Sequence, residues 1–168
     1  MDYGHVLEKL MAMDDASWKR HANPWSVWTR VAILPLFVLA IWHRDALGWW
    51  IVLLLTLLVL WTYVNPRAFP PPATTRTWAS QATFGERVWL NRKTRPIPDH
   101  HVRMAHILSG LSALSLIPLV YGLYAYLALV TGLGLVLLII SKFWFLDRMV
   151  WLYQDSKDND PEYGAWLY

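Results

Sequence analysis

Two stretches of the chain carry no charge over bilayer-spanning lengths. The first, between Asp45 and Arg67, contains LGWWIVLLLTLLVLWTYV, and about 20 apolar residues in helical form cross a hydrocarbon core of about 30 Å. A spanning helix is predicted near Leu47–Val64. The second, Ile107 to Ser141, is too long for one crossing, since a single helix of that length extends roughly 50 Å. It is predicted to be a hairpin of spans near Met104–Tyr121 and Leu127–Leu146. The reversal falls at Tyr121–Tyr126, where three tyrosines mark a bilayer interface and Gly122 permits a tight turn. A fourth span, PWSVWTRVAILPLFVLAIWH near Pro24–His43, requires Arg30 to snorkel to the headgroups. Asn23 suits the N-cap and Pro24 the first helical position, and Pro35 predicts a kink.

The prolines of NPRAFPPP, Asn65 to Pro72, are expected to stop the second helix and leave the membrane as an extended run. In the segment that follows, Trp78, Ala82, Gly85 and Trp89 share one helical face with Glu86 beside it, predicting an amphipathic helix along the interface. The predicted fold class is therefore all-α, a polytopic membrane protein with four transmembrane helices plus a cytoplasmic interfacial amphipathic helix. It is expected as one integral-membrane domain, 1–168. Its parts are an N-terminal segment 1–23, a hairpin 24–64, a connection 65–103, a second hairpin 104–146 and a tail 147–168.

Composition narrows the class. With 56% hydrophobic and 16% charged residues, the chain falls outside ordinary soluble domains. The absence of cysteine removes disulfides and thiolate chemistry, so any metal must take nitrogen or oxygen ligands. Met1–Arg20 mixes acidic and basic residues, unlike a secretory signal, and the first apolar run is expected to remain as an anchor. Every cation except Arg44 lies in the N-terminal segment with Arg30, the connection between the hairpins, or the region from Lys142 onward. The positive-inside rule then predicts that both termini are cytoplasmic, in the inner (plasma) membrane. The twelve tryptophans fit aromatic belts at both interfaces.

The segments HANPWSVWTR, NPRAFPPP, FGERVWLNR, IPDHH and FLDRMVWLYQD together resemble an uncharacterised family of short prokaryotic multi-pass membrane proteins, classed as a domain of unknown function. That resemblance covers most of the chain. It implies a membrane location and no activity, so it carries over no catalytic residue.

Polar chemistry concentrates in NRKTRPIPDHHVRMAH, Asn91–His106, with four cations and half of the six histidines. Its arginines and lysine read first as a topology determinant and a contact for anionic headgroups. His100 and His101, between a proline-constrained loop and a helix start, are candidate metal ligands with Glu86 and Asp147. Zinc, iron and manganese all accept imidazole and carboxylate. Glu86, His101 and Asp147 are the catalytic candidates if the protein is an enzyme, with Asp155 or Asp147 orienting an imidazole. His5, His21, Asp99, His106, Arg103 and Arg148 complete the inventory. Asp147, Trp151, Gln154 and Asp155 recur at helical spacing, predicting one polar stripe. Against the metal stands a structural reading in which Arg30 pairs with Asp147.

H-x-x-x-H boxes, a glycine-rich phosphate loop and ionisable residues at mid-span are all lacking. Ala105, Ser109, Ser112 and Ala113 form a small-residue face for packing within the bundle or for a homodimer. No nucleic-acid partner is expected. A non-catalytic accessory or scaffold subunit touching anionic lipid or a partner leads. The alternative is a metal-dependent membrane enzyme acting on a lipid-like substrate from the cytoplasmic face.

Overall fold

The computed structural model describes residues 13–168, so His5 lies outside the described residues. These form helices α1 (Asp15–His21), α2 (Pro24–Trp42), α3 (Arg44–Leu47), α4 (Trp50–Ala68), α5 (Trp78–Leu90), α6 (Asp99–Tyr124), α7 (Ala128–Lys157) and α8 (Pro161–Gly164), with a 3₁₀ turn at Asn91–Lys93. Among the described residues there is no strand. Four helices among the described residues, α2, α4, α6 and α7, are long and apolar enough to cross a membrane, as the two charge-free runs and the Arg30-bearing Pro24–His43 segment predict.

α2 starts as expected: the Asn23 side chain accepts from the Trp25 N–H at 3.0 Å, with Pro24 in the first turn. α4 differs. It continues through Pro66 to Ala68, although Pro66 removes one backbone donor and disfavours a helical Asn65. Asn65 is fully buried and hydrogen-bonded to α2 through both ends of its amide, which holds it in the helix. The stop comes instead at Phe69, which Pro70 biases towards its extended conformation.

The second hairpin extends beyond its predicted spans, as the helical spacing of Asp147, Trp151, Gln154 and Asp155 anticipates. α7 runs past Leu146 to Lys157 because KFWFLDRMVWLYQDSK contains no glycine or proline. Its exit from the spanning region is also covered: Leu146, Met149, Val150, Leu152 and Tyr153 are buried. α5 supplies much of that cover, burying Ala82, Phe84, Gly85 and Val88. Contact is backbone to side-chain-free backbone, since a Cβ on Gly85 would sit 1.8 Å from the Met149 carbonyl oxygen. α5 is thus a packed structural layer, with Trp78 and Trp89 half-buried at its margins. Trp166 stacks against Tyr153 and contacts Phe84, and the Thr75 N–H donates to the Tyr168 carbonyl at 2.9 Å, closing the layer.

At the other end the α6–α7 reversal turns on Tyr126, whose φ is 54°. Gly122, expected as the turn residue, is helical instead, and an added Cβ would meet the Thr131 backbone nitrogen at 2.5 Å. Arg44 joins the hairpins here. Its guanidinium donates to the carbonyls of Leu123 at 2.8 Å and Tyr124 at 3.2 Å, satisfying the end of α6, and lies over the Tyr126 ring. Tyr126 donates its hydroxyl proton to Asp45 at 2.5 Å.

Candidate functional site: a cleft between the hairpins

Between these two ends, α2 and α7 are held apart by a cleft of about 340 Å³. Its walls are apolar, with Val31 and Leu34 from α2 and Leu138, Ile139 and Phe143 from α7. Arg30 and Lys142 stand at its polar end and also line a second cavity of about 300 Å³ with His21, Glu86 and Trp89. The two spaces therefore share two cations as a common wall.

Glu86 is the carboxylate between them. Lys142 Nζ donates to it at 3.3 Å and Arg30 Nη2 lies 3.9 Å away. Burial works to raise the Glu86 pKa, but Lys142 and Arg30 outweigh it and hold the carboxyl below its ordinary value. The buried Arg30 Nε has no hydrogen-bond partner. With His21 neutral, two cations and one carboxylate leave a local charge of +1.

His21 is fixed by a hydrogen-bond chain whose direction is determined at its far end. The Trp25 carbonyl can only accept, so Thr29 Oγ1, 2.6 Å away, spends its proton there. Thr29 must then accept from Asn65 Nδ2 at 2.8 Å, which turns Asn65 Oδ1 towards Ser26. Ser26 donates to Oδ1 at 2.7 Å and accepts from His21 Nδ1 at 2.9 Å. The imidazole is therefore the Nδ1–H tautomer and keeps its Nε2 lone pair as an acceptor on a residue of the cavity wall. Burial, reinforced by Arg30, pushes its pKa down to about 3.

The predicted site residues separate. Arg30 pairs with Glu86 and not, as expected, with Asp147. Asp147 accepts from Trp78 Nε1 at 3.0 Å, because α5 packs over that part of α7. The stripe on α7 divides as well. Asp147 and Gln154, seven residues apart, bond Trp78 and Gln81 of α5, whereas Asp155 turns to α6 and meets His101 Nε2 at 2.9 Å. His100 and His101 are adjacent, with ring centroids 4.1 Å apart. Glu86 and Asp147, each committed to its own partner, do not join them; Asp155 does. Ala105 is buried and Ser112 lines the cleft, while Ser109 and Ala113 are exposed.

His21, Ser26, Asn65 and Lys142 were not singled out by spacing. The available signal was an asparagine closing an otherwise apolar span, because a buried amide requires partners on a neighbouring helix.

A model of a family of unknown function, DUF6653, matches residues 4–165. No curated protein and no solved structure matches the chain. Since the match spans nearly the whole sequence, the chain belongs to this family of unknown function.

Proposed function

We propose that the protein is a non-catalytic membrane component that holds an amphipathic anion, an acyl chain bearing a phosphate or carboxylate headgroup, in the cleft between its hairpins. The observation that carries this reading is the junction of an apolar cleft with Arg30 and Lys142, only partly neutralised by Glu86. Apolar walls with a few convergent polar groups are the usual form of a small-molecule site, and cations near the headgroup level attract anionic lipid. His21 Nε2 adds an acceptor for a headgroup hydroxyl or amine. The basic end, with both termini, faces the cytoplasm of a prokaryotic cell by the positive-inside rule. An enzyme built on Glu86, His101 and Asp147 is the weaker reading, since those three side chains engage separate partners.

The test is lipid retention. The purified chain is exchanged into nanodiscs of phosphatidylcholine with or without phosphatidylglycerol, washed in detergent and assayed for bound lipid. The expected result is selective retention of the anionic lipid, reduced several-fold in Lys142→Gln, a half-exposed position whose replacement should fold. Equal retention of both lipids, or no change in the variant, overturns the reading.

A further inference from the structure

We propose that His100, His101 and Asp155 form a zinc-binding site that staples the open end of the α6–α7 hairpin. The site is separate from the cleft and does not depend on its occupant. One potential ligand atom from each residue lies within 4.8 Å of the other two. Zinc holds nitrogen and oxygen ligands at about 2.0–2.2 Å in tetrahedral geometry, which brings them to roughly 3.4 Å from one another. The His101–Asp155 pair, at 2.9 Å, has to open slightly and His100 to close in, and both adjustments fall on the right side chains. His100 and Asp155 are exposed and rotate freely, whereas His101, only 2% exposed, is the fixed point.

The contrast with His21 shows why His101 is able to ligate. At His21 a chain of hydroxyls and an amide fixes the proton on Nδ1. At His101, Nδ1 has no partner and the ring's one hydrogen bond is to Asp155. Nothing therefore opposes placing the proton on Nδ1 and offering the Nε2 lone pair to a cation. Zinc would replace the Nε2–H···Asp155 hydrogen bond by one metal bond to each partner, the proton passing to Nδ1 by tautomerisation, and Nδ1 is left without a partner as before. His100, whose ring lies against that of His101, supplies the third ligand and solvent the fourth. Imidazole nitrogens with one carboxylate suit zinc better than calcium or magnesium, which prefer all-oxygen shells. The buried charge of Arg148 seven residues back on α7 opposes the cation, so the affinity should fall short of that of a cysteine-rich structural site.

Position supports the staple. α6 and α7 are joined by the turn at Ala125–Leu127, so their other ends, where His101 and Asp155 lie, have no chain connection. The full-length untagged chain, stripped with chelator, is equilibrated with zinc, dialysed against metal-free buffer and analysed for metal. Cobalt substitution gives a parallel visible-absorption signal. About one zinc per chain and a tetrahedral cobalt spectrum are expected for wild type and for His106→Ala. His100→Ala and Asp155→Asn, both at exposed positions, should bind roughly tenfold more weakly or worse. Clearly sub-stoichiometric zinc in wild type, or equal zinc in all four proteins, would falsify the site.

Discussion

The two hairpins are built on opposite principles. In α6–α7, Gly122 faces Thr131 and Gly134 faces Leu119 so closely that an added Cβ would lie 2.5 Å and 2.4 Å from backbone nitrogen. α5 repeats the device through Gly85. In α2–α4, large aliphatic side chains leave α4 exposed nearly all round, with only Asn65 and Pro66 buried. Its two helices are tied to each other by the Asn65 network at one end, while at the other end Arg44 and Asp45 tie the hairpin to Leu123 and Tyr126 of the second. Close backbone packing needs small residues and operates without a hydrophobic driving force, as lipid requires. Directional bonds at helix ends allow the middle of the helices to stay apart. The cleft is the space left between the two kinds of joint.

The largest expected effect comes from breaking the first kind. Gly85→Val should displace α5 from α7 and destabilise the fold by about 3 kcal/mol or more, as severe overpacking does. It would be read as a lowered Tm in detergent with loss of the native gel-filtration peak. A near-wild-type Tm would show that α5 does not lie on Met149.

The polar joint should break with acid. His21 titrates at about 3 in the fold against an ordinary value of about 6.5. The unfolded chain therefore takes up a proton that the native state refuses. Stability from this group is complete above pH 6.5 and falls by up to about 1.4 kcal/mol per pH unit as pH drops towards 3. Denaturation curves between pH 7 and pH 4.5 should show this slope, and His21→Gln should flatten it. An unchanged slope in the variant would mean that the histidine is not buried neutral.

The smallest effect belongs to the opposite end. Arg44→Gln leaves the Leu123 and Tyr124 carbonyls without their donor, but at a partly solvated helix end where water substitutes, so a loss of about 1 kcal/mol is expected. In a double-mutant cycle with Tyr126→Leu, which removes the ring beneath the guanidinium, the two losses should combine to less than their sum. Full additivity would show two independent contacts.

The spans were legible because a charge-free run is a local property, and so was the Asn23–Pro24 helix start. The helical phase beyond Leu146 was legible too, from Asp147, Trp151, Gln154 and Asp155, whereas its cover by α5, residues 78–90, was not, because no window around Leu146 contains that segment. The partner of Arg30 was misread for the same reason. Asp147 and Glu86 are equally plausible in sequence, and the choice is made by Trp78 reaching Asp147 as α5 docks. Adjacent His100 and His101 were legible as a pair, whereas the carboxylate that joins them followed from the phase of α7.

Arg44 also bears on how the protein is made. Its carbonyl acceptors lie 79 and 80 residues further along the chain, so the first hairpin is synthesised before the helix end that receives its guanidinium. Until then Arg44 can donate to the Ile41 carbonyl at the end of α2. Docking of the second hairpin is thereby recorded at this end of the molecule: only a docked α6 presents Leu123 and Tyr124 to Arg44. The contact therefore reports the association of the two hairpins and not the folding of either one alone.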